Sequence, residues 1–137
     1  MFTILVAEDN KNTARLMEVV LTQNGYQVLH ATNGMEALSL LEEHTVDLIL
    51  LDVMMPQMDG YGVLEKLQKM NPAARPQVIV MTALGRDDFI ARAIRQGVQY
   101  YMVKPVDLRV LVERIRDAAR QLSVQYDDAP VVPVAAN

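Results

Sequence analysis

Four places in this sequence put reactive side chains directly after short apolar runs. Glu8 and Asp9 follow TILVA (Thr3 to Ala7), and Asp52 follows DLILL (Asp47 to Leu51). Thr82 follows QVIVM (Gln77 to Met81), and Lys104 follows the run from Gln99 to Val103, immediately before Pro105. Each has an ordinary structural use. Glu8 and Asp9 can cap a helix or solvate a turn, as Asn10 or Asn12 also can. Thr82 can be a turn hydroxyl, and Lys104 can lay its stem along the sheet. Asp52 is harder to place so simply, because a carboxylate at the end of a buried strand needs a partner. Brought together, three carboxylates cannot all stay ionised without a cation, and an oxygen-only donor set without His or Cys favours Mg²⁺. A divalent cation with Lys104 and Thr82 beside it is a set suited to holding a phosphoryl group.

Those groups meet only if the elements between them align the apolar runs side by side. The runs alternate with stretches of helical period. Residues 12–24 carry Ala14, Met17, Val20 and Leu21 at helical spacing, with Gly25 where a left-handed stop belongs. Gln27 to Ala31 reads as a second strand, and Asn33-Gly34 opens a helix with Met35, Leu38 and Leu41 inward. A third helix places Tyr61, Leu64 and Leu67 on one stripe, and a fourth spans residues 88–96 up to Gly97. Leu108, Leu111, Val112, Ile115, Ala119 and Leu122 form the stripe of a fifth. Five strand–helix units in succession demand a parallel sheet with right-handed crossovers and helices on both faces. In such a sheet ligands bind outside the carboxyl ends of the strands, where all four groups fall. Neighbouring strand ends lie about 4.8 Å apart, close enough for convergence.

Composition narrows the function classes. The chain of 137 residues fits one domain, expected to span residues 1–123, with residues 124–137 a flexible tail or linker rich in proline and small residues. Zero cysteines exclude a disulfide framework and a thiolate metal site. With 13 basic against 17 acidic residues the net charge is −4, so direct nucleic-acid binding by this domain is not expected. Apolar runs are far short of the ~20 residues that span a bilayer, and the first residues lack a basic signal region. A cytoplasmic protein without membrane contact is the expectation. His30 and His44 lack ligand spacing, and the arginines of the fifth helix (Arg109, Arg114, Arg116, Arg120) read as a solvated face.

The segments ILVAEDN, DLILLDVMMPQMDG, VIVMTA and YYMVKP, in that order and spacing, resemble the receiver domain of two-component response regulators from about Thr3 to Leu122. The resemblance implies a doubly wound (βα)5 flavodoxin-like three-layer sandwich with strand order 2-1-3-4-5. It implies Asp52 as phosphoacceptor, and Mg²⁺ held by Asp9, by Asp52, by Glu8 through water and by the backbone carbonyl of Met54. Thr82 and Lys104 would contact phosphoryl oxygens, Ala83 would leave the phosphate accessible, and Tyr101 would turn inward as the switch aromatic. The Lys104–Pro105 bond would be cis. The implied partner is a sensor histidine kinase or a histidine phosphotransfer protein. A homodimer surface would lie on the fourth helix, fifth strand and fifth helix, the face whose change would control an output. Such a domain catalyses its own phosphorylation and slow dephosphorylation but is not a turnover enzyme.

Departures from the family pattern are few. The acidic pair is Glu-Asp instead of Asp-Asp, and Met54 and Leu84 are apolar where some relatives orient water. Gln99, Tyr100 and Val110 replace acids used in charged dimer contacts by regulators with winged-helix outputs. Competing chemistries fit less well. A haloacid-dehalogenase-type phosphatase needs a second aspartate where Met54 stands, and a flavin binder wants a Ser/Thr/Gly loop where Glu8-Asp9-Asn10 would repel phosphate. A non-phosphorylated interaction scaffold on the same fold usually lacks Asp52 or Lys104, and both are present.

Overall fold

A computed structural model describes residues 1–53, 60–83, 95 and 97–124, with the side chains of Thr82 and of residues 121–124 outside that description. Five strands alternate with helices along the chain: β1 (Thr3–Ala7), α1 (Lys11–Gln23), β2 (Gln27–Ala31), α2 (Gly34–Glu43), β3 (Leu48–Leu51), α3 (Gly60–Gln68), β4 (Gln77–Thr82), β5 (Tyr100–Val103) and α4 (Leu108–Val124). All strand pairs are parallel, in the order β2-β1-β3-β4-β5. The helix expected over 88–96, the loop with Met54, Met55 and Met58, Leu84, and the tail beyond Val124 lie outside the described residues.

Parallel pairing explains the apolar runs. β1 and β3 are central, so both faces of each are covered, and Ile4 to Ala7 and Leu48 to Leu51 are buried without interruption. Because successive side chains alternate, each strand feeds two layers. Leu5, Ala7, Ile49, Leu51, Val78, Val80 and Tyr101 face one layer, closed by Ala37 of α2 and by Tyr61, Leu64 and Leu67 of α3. Ile4, Val6, Leu48, Leu50, Ile79, Met81 and Tyr100 face the other, closed by Ala14, Met17 and Leu21 of α1 and by Leu111, Ile115 and Ala118 of α4. The expected three-layer sandwich is the observed one.

Helix ends follow their local chemistry. Asn10 caps α1, its side chain accepting from the Thr13 N–H at 3.0 Å. Gly25, at φ +89°, takes the left-handed conformation just past the helix. Asn33 caps α2 through the Glu36 N–H at 2.8 Å, and the Glu36 carboxylate accepts from the Thr32 N–H at 3.0 Å.

Three sequence expectations are corrected. Met35 is exposed rather than inward, because at 100° per residue it sits about 160° around α2 from the buried Ala37. Ala118, not Ala119, completes the buried stripe of α4: the spacing Leu111, Ile115, Ala118 returns to one face, and Ala119 is rotated off it. Arg114 is not simply solvated, since its guanidinium lies 5.4 Å from the centroid of the Tyr100 ring. Among the described residues no helix is long and apolar enough to cross a membrane.

Candidate functional site

The strand ladder delivers the reactive side chains to one edge. Ala7 is in register with Leu51 and with Ala31, and Thr82 with Val103, so the residues that follow emerge together. Two further backbone bonds extend that register past the strand ends. The Glu8 N–H donates to the Ala31 carbonyl and the Asp52 N–H to the Ala7 carbonyl, each at 3.0 Å. Glu8 and Asp52 are thus fixed in space before their side chains make any contact.

Carboxylate oxygens of Glu8, Asp9 and Asp52 all lie within 4.8 Å of one another. Asp9 is exposed, whereas Glu8 is fully buried and Asp52 is 4% exposed. Lys104 reaches between the two buried acids. Its Nζ donates to Glu8 Oε1 at 2.5 Å and to Asp52 Oδ2 at 2.9 Å. The second Glu8 oxygen, Oε2, accepts from the Asn10 N–H at 3.1 Å. The Lys104–Pro105 peptide bond is cis.

The electrostatics follow from this crowding. Burial pushes the Glu8 carboxyl above its ordinary value, more strongly than the bonds from Lys104 and the Asn10 N–H pull it down. Burial alone would lower the Lys104 ammonium, but its bonds to Glu8 and Asp52 reverse this and hold it above the ordinary lysine value. One ammonium faces three acids. The pocket therefore has unspent affinity for a further cation, and its oxygen-only donors, with no thiolate or free imidazole, suit a hard divalent ion such as Mg²⁺.

Other expected site residues fall around this cluster. Ala83 is exposed directly after β4, and Thr82 ends that strand with its side chain outside the description. Tyr101 is 4% exposed and sits in the layer with Val78 and Val80, so the side chain is already inside. Met54, with the backbone carbonyl expected to face a cation, is outside the described residues.

Two residues that sequence reasoning passed over also shape the site. Gly60 opens α3 hard against the end of β3 at Asp52: a Cβ there would stand 2.4 Å from Val53 Cα and 2.9 Å from the Asp52 carbonyl oxygen. A glycine in the MDG segment eight residues after Asp52 was the available signal. His30, set aside as a metal ligand, places Nε2 2.9 Å from the Glu8 carbonyl oxygen. No spacing rule announces that contact.

With this geometry in place, comparison with known proteins is decisive. The response regulator receiver domain profile matches residues 4–116. The chain belongs to that family. Receiver domains are signalling domains of two-component systems. Solved structures agree. A receiver domain protein (CheY-like) from Methanospirillum hungatei is 27% identical with a TM-score of 0.83, covering 90% of this chain and 98% of that one. The receiver domain of a signal transduction histidine kinase from Syntrophus aciditrophicus is 29% identical with a TM-score of 0.81, covering 98% of each chain. The BeF3-activated DrrB receiver domain is 27% identical with a TM-score of 0.79, covering 88% of this chain and 98% of that one.

Proposed function

We propose that this receiver domain is a phosphorylation-controlled switch in which Asp52 accepts a phosphoryl group from a sensor histidine kinase or a histidine phosphotransfer protein. The observation that carries this reading is the Lys104 ammonium bridging Asp52 and Glu8 at the mouth of a three-carboxylate pocket. Membership of the signalling family and a relative in a BeF3-activated form support it.

In the proposed step an Asp52 carboxylate oxygen forms a bond to phosphorus as the bond from phosphorus to the donor imidazole nitrogen breaks, giving an aspartyl phosphate and a neutral histidine once that nitrogen takes a proton. Lys104 is placed to transfer its hydrogen bond from the Asp52 carboxylate to a phosphoryl oxygen, where it neutralises developing charge. Asp9, Asp52, the Met54 carbonyl and, through water, Glu8 would hold Mg²⁺. That ion supplies positive charge to the phosphoryl oxygens when bound. Thr82, at the end of β4, is the hydroxyl that would bond a phosphoryl oxygen, and Ala83 leaves the approach open. Tyr101 and the face of β5 and α4 would pass the change to a partner or output.

The donor would dock beside Lys104. There Leu16 and Met17 of α1 line a shallow apolar groove with Pro105, Val106 and Leu108, and Leu16 is exposed.

Incubation with Mg²⁺ and acetyl phosphate or phosphoramidate, followed by intact mass, tests the reading against Asp52→Asn. One phosphoryl group is expected on the wild type alone. Equal phosphate on the variant would move the acceptor elsewhere. No transfer from either small donor or from a histidine phosphotransfer protein would favour an interaction scaffold that is not phosphorylated.

A further inference from the structure

The last two residues of β2 grip Glu8 on both sides of its Cα. Ala31 accepts from the Glu8 N–H at 3.0 Å through its backbone carbonyl. His30, whose backbone is in register with Val6, reaches over with its side chain, and its Nε2 lies 2.9 Å from the Glu8 carbonyl oxygen. A carbonyl can only accept, so Nε2 carries the hydrogen. The first bond continues the strand ladder and uses only the backbone carbonyl of position 31, which every residue type supplies. The second depends on the histidine.

What that second bond holds is the peptide joining Glu8 to Asp9. β1 ends at Ala7 and β2 at Ala31, so the ladder stops before this peptide. The Glu8 side chain is tied separately, by Lys104 at one oxygen and by the Asn10 N–H at the other. The Asn10 bond closes a turn around Asp9 through the Asp9–Asn10 peptide, but none of these bonds is made to the Glu8–Asp9 peptide itself. Rotation of the Glu8–Asp9 peptide would swing the Asp9 Cα and its carboxylate relative to Asp52, and the imidazole N–H opposes that rotation. A carboxylate already near Asp52 gains affinity for a shared cation when it loses freedom to swing away.

We propose that His30 is a positioning residue for the acidic pocket, its Nε2–H locking the Glu8–Asp9 peptide so that the Asp9 carboxylate is presented to a divalent cation. This rests on the cation reading of the site given above. It assigns His30 no contact with the ion, since Nε2 is committed to the carbonyl.

Isothermal titration with MgCl2 on wild type, His30→Ala, His30→Asn and His30→Gln tests it, with thermal melts of each in Mg²⁺-free buffer. His30→Ala is expected to weaken Mg²⁺ binding about tenfold, as loss of an outer-shell partner does. The glutamine amide nitrogen stands as many bonds from Cα as the imidazole Nε2, so His30→Gln recovers most of the affinity. The asparagine nitrogen is one bond short, and His30→Asn behaves like the alanine variant. Wild-type affinity in His30→Ala, or affinity in His30→Gln as weak as in His30→Asn, overturns the assignment. Should the alanine variant not fold, the comparison of glutamine with asparagine decides alone, because both are polar amides of similar bulk. Absence of Mg²⁺ binding in the wild type itself would overturn the cation reading, a result separate from any difference among variants.

Discussion

Gly60→Ala sets two physical effects of opposite sign against each other. Gly60 is the first residue of α3, and replacing glycine by alanine in a helix ordinarily stabilises by roughly 1 kcal/mol. Here the added Cβ would meet Val53 Cα at 2.4 Å and Val53 Cγ1 and the Asp52 carbonyl oxygen at 2.9 Å each. Carbon atoms prefer a separation of about 3.5 Å or more, so one backbone segment must retreat by roughly 1 Å. Val53 Cα and the Asp52 carbonyl oxygen are backbone atoms and cannot simply rotate away. Such overpacking costs about 1–3 kcal/mol. The retreat also stretches the bond from the Gly60 N–H to the Val53 carbonyl, now 3.1 Å, whose loss is worth about 0.5–1.5 kcal/mol. Steric and hydrogen-bond losses together exceed the propensity gain, for a net destabilisation of roughly 2 kcal/mol. Urea denaturation at constant m reads this as a lower midpoint. Because the clash falls on Asp52 and Val53 themselves, the initial rate of labelling by acetyl phosphate should fall as well, by on the order of tenfold or more, as expected for an acceptor displaced on this scale. A variant as stable as wild type or more so, and labelled at the wild-type rate, would show that α3 yields freely and that the close approach at Gly60 does not hold the acceptor strand end.

Two further outcomes follow from the charges. Lys104→Met leaves Glu8 and Asp52 buried without their shared cation and should cost about 3 kcal/mol at neutral pH in Mg²⁺-free buffer. Because the Lys104 ammonium is held above its ordinary value, its stabilisation persists up to about pH 10.4 and is lost as pH rises through the raised value, while protonation of Glu8 in acid weakens the same pair; the difference in melting temperature between wild type and variant should be widest near neutral pH and shrink through the alkaline window, and a difference constant through that window would refute the pairing. Arg114→Ala removes the guanidinium over the Tyr100 ring and should cost about 0.5–1 kcal/mol in urea, with Arg114→Lys losing less; an unchanged midpoint for the alanine variant would mean that the stack contributes nothing.

The parts of this fold visible in the sequence are those that repeat. ILVA (Ile4 to Ala7) and LILL are apolar throughout because β1 and β3 are covered on both faces, and that burial is the property a run of apolar residues records. Parallel strands in sequence then force their carboxyl ends to one edge, which is why the sequence alone groups Glu8, Asp9, Asp52 and Lys104. The strand order itself is not in any local pattern and came from the family resemblance. The orientation of Tyr101 is not in a local pattern either. Adjacent residues of β5 point to opposite faces, and with helices on both faces Tyr100 and Tyr101 are both buried, so alternation cannot tell an inward ring from an outward one. Ala118 and Ala119 differ by a single step of rotation that chemically identical side chains cannot reveal.

The contacts around Glu8 were illegible for a different reason: they break the rules that make a sequence readable. A fully buried glutamate after a strand is a local violation, tolerated because four groups converge on it, two from β2, one from the turn that follows Glu8 and one from the end of β5. Ala31 and His30 hold its backbone, and Asn10 and Lys104 hold its carboxylate. His30 is 22 positions away and Lys104 96, and no periodicity links such distances. Violations of this kind, satisfied mainly by partners distant in sequence, concentrate where a fold gives up stability for chemistry. On that argument the strength of the Glu8 network, more than its acidity, marks this strand edge as the working end of the domain, and variants that loosen its partners should affect the site before they affect the fold.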